Sequence, residues 1–250
     1  KDKANTAMDI YSFCNVLGKK EGNRQLKIHW DNWVTEDDIR KLSENGINSL
    51  RVPVGDWMFI PYVPYTGCTD GSLNKLDWIL DTAYKYNMTV LIDIHGVIDS
   101  QNGFDNSGMS YDLVWNSKVN DNYIGASTFD HWSVRNAGWM GVFNKTSLLY
   151  DSINTYNINF TLEVIKIIVQ RYQYHPGILG IEPVNEPWQF TPIDQLKRFY
   201  WEGYKIIKSN KNTKNWKFIM HDSFRFDIDI WGGFMNGCPD IALDTHIYQA

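Results

Sequence analysis

Gly177-Ile178-Leu179-Gly180-Ile181-Glu182-Pro183-Val184-Asn185-Glu186-Pro187-Trp188 runs from an apolar strand into an ionisable residue followed at once by a chain-breaking proline. A strand that ends this way delivers a carboxyl group to the rim of a sheet. In parallel α/β architectures the carboxyl ends of the strands form the face where ligands bind, which makes Glu186 the candidate general acid/base. The plain alternative is a strand end and a turn. Other apolar runs close in the same manner on Arg51, on His95 and on the pair His246 and Tyr248, and that company favours the chemical reading.

Upstream, the spacing predicts a helix from Glu36 to Glu44, with Thr35 as its cap and Asp38 three positions on, ending at Asn45-Gly46. The first 35 residues show no clear strand, and Cys14 to Gln25 reads as loop. Ile47 to Val54 reads as a buried strand that carries Arg51 on the same side as Pro53, and Thr89 to Gly96 as a second strand with Asp93 and His95 on one face. An amphipathic helix over Ser72 to Tyr86 lies between them, so the connection is a parallel crossover. Residues 96–146 form a stretch longer than an ordinary connection, and a helix is expected over Leu148 to Tyr174. Past Glu186 the alternation repeats: a helix over Ile193 to Ser209, a strand over Asn215 to Asp222, a short helix over Phe226 to Met235, and a strand over Ile241 to Tyr248. Five strands in βα order argue for an α/β fold with a parallel sheet and helices on its outside.

The composition removes several classes. With 250 residues, 43% of them hydrophobic and 21% charged, the chain is long enough for one sizeable core or a single α/β barrel. A formal charge of −5 offers no basic footprint for phosphates, so no nucleic-acid partner is expected. No apolar run reaches a membrane span, and the start has no signal-peptide shape. The 11 Trp suit stacking on sugar rings as well as core packing. Cys14, Cys68 and Cys238 lack metal-ligand spacing and allow at most one internal disulfide; the three Asn-x-Thr sequons are no more than chance supplies.

Taken together, Asn48 to Trp57, Ile92 to Gly96, Ser100 to Gly108, Asn185-Glu186-Pro187 and His246 to Gln249 resemble the family 5 glycoside hydrolases, and more closely their fungal-type exo-β-1,3-glucanase branch. The run Ser100-Gln101-Asn102-Gly103-Phe104-Asp105-Asn106-Ser107-Gly108 is the most specific of these pieces. The resemblance implies a (β/α)8 TIM barrel, of which this chain would hold strands 2–6 as a single catalytic domain over residues 1–250, incomplete at both ends. It implies that Arg51, His95, Asn185, Glu186, His246 and Tyr248 match active-centre positions, with Asn185 touching the sugar's 2-hydroxyl. Asp105 and Asn106 match sugar-binding positions, and Phe104 an aromatic at the entrance. The nucleophile, a Glu on strand 7, would lie beyond Ala250, with Arg51 and Tyr248 holding it ionised and oriented.

The expected reaction is retaining hydrolysis of β-1,3-glucan with release of glucose, Glu186 being kept protonated by its surroundings. The expected partner is a β-glucan polysaccharide or oligosaccharide, met by a monomer that is secreted or at the cell surface, with membrane anchoring left open. No metal and no cofactor are implied. A β-1,4-glucanase or mannanase of the same family and a non-catalytic glycan-binding protein are the alternatives. Glu182, about 13 Å down the strand at ~3.3 Å per residue, is expected to be a buried structural carboxylate rather than the nucleophile. His221 and Asp222 are expected to be satisfied rim residues, and His29, His131 and His175 surface or packing residues. Two departures from the family pattern are expected to reshape the rim: Ile98-Asp99 after His95-Gly96, and Pro183, whose missing N–H would cost a ladder bond. In the segment Met109 to Asn144, Trp115, Trp132, Trp139 and Phe143 either extend a sugar site or pack the segment down.

Overall fold

A computed structural model of the chain describes residues 7–111, 113–114, 134–135 and 137–248. In chain order the elements are α1 (Ile10–Trp33), α2 (Glu36–Glu44), β1 (Ser49–Gly55), α3 (Ser72–Lys85), β2 (Thr89–Gly96), β3 (Leu113–Val114), β4 (Val134–Arg135), β5 (Gly141–Asn144), β6 (Leu149–Ile153), α4 (Thr155–Tyr172), β7 (Ile178–Glu182), α5 (Ile193–Ser209), β8 (Lys217–His221), α6 (Ile228–Trp231) and β9 (Ile241–Asp244).

The principal sheet has the order β1-β2-β7-β8-β9, and every pairing in it is parallel. Because successive side chains on a strand point to opposite faces, Val90, Ile92 and Ile94 of β2 pack with the helices while Asp93 and His95 point the other way. Leu76 and Leu80 of α3, Ile165 and Ile168 of α4, and Leu196 and Phe199 of α5 complete that helix-side core. Burying each such side chain contributes roughly 1.5–3 kcal/mol. The opposite face carries Arg51, Asp93 and Glu182 at its carboxyl-end level, with buried Leu91 and Ile178 below them. Gly180 permits β7 and β8 to approach closely, since a Cβ there would meet the Lys217 carbonyl oxygen at 2.1 Å.

Capping works as the sequence predicts at α2, where Asp38 N–H donates to Thr35 Oγ1 and the Asp38 carboxylate accepts from Thr35 N–H. Two local expectations are overturned. Cys14 to Gln25 lies within helix α1, which Asp9 caps reciprocally with Ser12 and which is interrupted at Gly18, where φ is 71°. Its apolar face is poor, and a disulfide between Cys14 and Cys68 fastens it to the loop after β1. Closing that 54-residue span is worth about 4 kcal/mol in the loop-entropy account. Cys238 is free.

The second correction concerns Leu148 to Tyr174. Its first residues form β6, antiparallel to β5, and the helix begins only at Thr155, where the Asn154 side chain accepts from Asn157 N–H. The hairpin wins because Phe143 and Tyr150 pack with Trp188 and Phe190 just past Glu186. Trp139 is fully buried, donates to Thr161 Oγ1 and meets Phe199 edge-on. Trp139 and Phe143 are therefore packing residues, while Trp115, Trp132 and His131 lie outside the described residues. Among the described residues no helix is long and apolar enough to cross a membrane.

Candidate active site

A parallel sheet places the carboxyl ends of all five principal strands along one rim. Pro53, Asp93 and Glu182 are register partners across β1, β2 and β7, so the side chains on that level meet. Arg51 reaches into the level from β1: Nε donates to Glu182 Oε2 at 2.8 Å, Nη1 lies 3.2 Å from Asp93 Oδ2, and Nη2 donates to Asn185 Oδ1 at 2.7 Å. Asp93 and Glu182 are fully buried, and Asp93 Oδ1 and Glu182 Oε1 have no hydrogen-bond partner among the described residues. Burial first, and then the charges of Asp93 and Asp244, push the Glu182 carboxyl up to about 7 against the pull of Arg51. Glu182 is thus the buried, paired carboxylate that its depth on the strand predicts.

One level higher, His95 Nδ1 donates to Asp93 Oδ2 at 2.6 Å, leaving Nε2 to accept from Asn185 Nδ2 at 3.4 Å. Asn185 N–H continues the sheet by donating to the Ile94 carbonyl oxygen. Glu186 follows with φ of 45°, a left-handed conformation that is strained in a residue other than glycine. The carboxylate of Glu186 is ringed by donors: His246 Nδ1 at 2.6 Å and Tyr248 Oη at 2.9 Å on Oε1, and Asn106 Nδ2 at 2.9 Å on Oε2.

These contacts correct the expectation that Glu186 is held protonated. Burial raises its carboxyl, but the three donors and the His246 charge outweigh it and bring the group down to about 2. The hydrogen bond to Glu186, offset by burial and helped by the charges of Glu186 and Asp244, raises His246 above its ordinary 6.5. The proton of the pair therefore rests on the imidazole. Tyr248 donates to Glu186, and Arg51 is engaged by Glu182, Asp93 and Asn185.

Two hydrogen-bonded groups stand at the rim, Arg51, His95 and Asn185 in one and Glu186, His246, Tyr248 and Asn106 in the other, and the Asn185–Glu186 peptide joins them. Asp105 is exposed, and its Oδ1 accepts from Asn106 N–H, while Phe104 is half-buried in the same loop. Pro183 breaks no ladder bond, because β7 ends at Glu182. Ile98 N–H donates to buried Asp56 Oδ2, and Asp99 Oδ2 accepts from Asn157 Nδ2, so this departure anchors the loop that follows β2. His175 accepts from Gly177 N–H, and His29 stacks near exposed Trp33.

His221 is not a satisfied rim residue. It is fully buried, its ring stands edge-on to His246 with centroids 4.5 Å apart, and Nε2 has no partner among the described residues. Asp222, in contrast, accepts from Phe224 N–H and from the Thr245 hydroxyl. Burial and the neighbouring His246 charge lower His221 to about 4, which keeps it neutral. Its Nδ1 accepts from Ser223 N–H at 2.9 Å, so the proton sits on Nε2. That tautomer bears on the two clusters with ligand-like spacing, Glu186/His221/His246 and Glu182/Asp244/His246. His221 offers no free lone pair, and both nitrogens of His246 face carboxylates, at 2.6 Å to Glu186 and 3.3 Å to Asp244. In each cluster His246 is already paired with one carboxylate, and Glu182 is engaged by Arg51. Sequence reading placed His221 on the rim without its burial against His246, and gave Gln101 and Asn102 no role of their own. A buried histidine carries no periodic mark, and loop residues carry none either.

Comparison with known proteins places this geometry in a family. Residues 14–249 match the cellulase family, glycosyl hydrolase family 5. The glucan 1,3-beta-glucosidase of Blumeria graminis is 32% identical over 249 residues, covering 97% of this chain and 48% of the relative. That of Schwanniomyces occidentalis is 31% identical over 256 residues, covering 99% and 50%. The chain thus spans about half the length of the curated relatives it matches. Among solved structures, rutinosidase from Aspergillus niger superposes with a TM-score of 0.71 at 20% identity over 96% of this chain and 61% of that one, which supports the fold alone. The five parallel strands are accordingly part of a TIM barrel, and the chain belongs to glycosyl hydrolase family 5.

Proposed function

We propose that this chain supplies the acid/base half of a retaining β-glucan hydrolase that releases glucose from β-1,3-linked chains. The observation that carries the reading is Glu186, a largely buried carboxylate at the carboxyl end of β7, held by His246, Tyr248 and Asn106 with Asn185 beside it. The glucan 1,3-beta-glucosidase names of the relatives support the linkage. Retaining hydrolysis needs two carboxyl groups about 5–5.5 Å apart. Asp93 and Glu182 are tied to Arg51, and Asp244 faces His246, so we assign the nucleophile to a Glu beyond Ala250, within a catalytic domain of which residues 1–250 are a part.

In the free site Glu186 is in its base form and His246 holds the proton 2.6 Å away. A second carboxylate nearby raises the affinity of Glu186 for that proton. The proton then passes from Nδ1 to Glu186 and on to the leaving glycosidic oxygen as the nucleophile attacks the anomeric carbon. In the second half, Glu186 removes a proton from water as the water displaces the enzyme carboxylate. Asn185, aligned by Arg51 and His95, is offered to the 2-hydroxyl; Asp105 and Asn106 bind the sugar, and Phe104 stands at the entrance. A monomer, secreted or at the cell surface, that acts on β-glucan without metal or cofactor completes the proposal.

The test is laminarin hydrolysis by the full-length protein, wild type beside Glu186→Gln. The substitution is expected to lower kcat about 10²–10⁴-fold, with glucose the sole early product of the wild type. Equal rates in the two proteins would remove Glu186 from the chemistry. Binding of laminarin with no cleavage of any β-glucan would make the protein a glycan binder.

A further inference from the structure

The backbone of Glu186 is held from a separate loop. A residue at φ of 45° immediately before a proline is in a conformation that sequence alone disfavours, so surrounding contacts must hold it there. Gln101, 1% exposed, uses its side-chain amide to donate to the His95 carbonyl oxygen at 2.8 Å and to the Asn185 carbonyl oxygen at 2.9 Å. Its own carbonyl oxygen accepts from Trp188 N–H. Asn102, fully buried, donates from Nδ2 to the Glu186 carbonyl oxygen at 3.0 Å and to Asn106 Oδ1 at 3.4 Å. Asn106 in turn donates to Glu186 Oε2 at 2.9 Å.

Asn102 therefore grips Glu186 at both ends, the backbone directly and the carboxylate through Asn106. The loop is stiffened from within: Ser100 Oγ accepts from Gly103 N–H at 2.7 Å and lies 2.6 Å from Ser107 Oγ, and Asn102 Oδ1 accepts from Phe104 N–H at 2.9 Å. Gln101 and Asn102 reach no open surface, so they are not built to touch a sugar.

We infer that Gln101 and Asn102 are positioning residues for the acid/base, setting the direction of the Glu186 carboxylate by fixing the carbonyls of Asn185 and Glu186; the inference rests on the acid/base reading of Glu186. The test compares kcat/KM on phenyl and 2,4-dinitrophenyl β-glucosides for the full-length wild type, Asn102→Ala and Gln101→Met. Expulsion of phenoxide needs a well-aimed proton donor, whereas expulsion of dinitrophenolate does not. Each variant is expected to lose about 10–100-fold on the phenyl substrate and less than about threefold on the dinitrophenyl one. Equal losses on both substrates, or no loss, overturn the inference while leaving the acid/base reading intact. Failure of both variants to fold, judged by their melting transitions, assigns the pair to stability and overturns it as well. A wild type inactive on both glucosides overturns the acid/base reading and this inference together.

Discussion

Glu182 and Glu186 stand four positions apart on one strand and its exit turn, and their surroundings push them in opposite directions. Among the described residues Glu182 accepts from one donor, Arg51 Nε, and keeps one oxygen unpartnered; burial and the charges of Asp93 and Asp244 raise it to about 7. Glu186 is also largely buried, yet accepts from His246, Tyr248 and Asn106 and falls to about 2. Burial is common to both. Donor count and the sign of the neighbouring charge decide the outcome.

The largest expected effect breaks the Glu182 side of this contrast. Arg51→Met leaves two fully buried carboxylates without their cation, and is expected to destabilise the protein by about 3–5 kcal/mol. Because 31% of the Arg51 side chain is exposed, the lower end of that range is expected. The reading is a shift in urea midpoint at unchanged slope; a shift worth less than about 1 kcal/mol would show that Arg51 does not neutralise the pair.

A smaller effect is expected on the Glu186 side. His246→Asn keeps a donor beside Oε1 but removes the charge, so Glu186 rises and the pair loses its proton store. Wild-type kcat/KM is expected to fall on the alkaline side only above the ordinary histidine range, since His246 is raised from 6.5. In the variant that limb moves to lower pH, and kcat/KM drops about 10–100-fold. A limb that stays where it was would locate the proton elsewhere.

The smallest effect sharpens the contrast through stability. A carboxyl raised from 4.5 to about 7 contributes stability that is present below pH 4.5 and lost as pH rises toward 7. Glu186, lowered from 4.5 to about 2, contributes stability that is present above pH 4.5 and lost as pH falls toward 2. Glu182→Gln mimics the protonated group and is expected to change stability at pH 4 by less than about 1 kcal/mol. Between pH 4.5 and 7 the variant gains on the wild type. Parallel melting curves across that window would refute the assignment.

The strand endings were legible because parallel strands end on a common rim. That rule gathers His95, Glu186, His246 and Tyr248 from three strand exits, whereas Arg51, the third residue of β1, reaches them by the length of its side chain. The hairpin at Gly141 to Ile153 was not legible, because its apolar residues also fit a helix and only their contact with Trp188 decides between the two. Helix α1 was hidden for the opposite reason: its apolar spacing is weak, and its place depends on the Cys14–Cys68 bridge. His221 was legible as a strand end, but its burial against His246 was not, because that contact joins two separate strand exits and follows no spacing.

The sequence by itself determined the alternation of strands and helices, the parallel sheet, and the presence of Glu186 at the end of β7. Each follows from local periodicity and from the way proline ends a strand. The charge states of Glu182 and Glu186, the left-handed backbone at Glu186 and the brace from Gln101 and Asn102 were decided only by tertiary structure. A carboxylate answers to every charge and donor within a few ångströms, and those neighbours come from strands and loops that sequence order keeps apart.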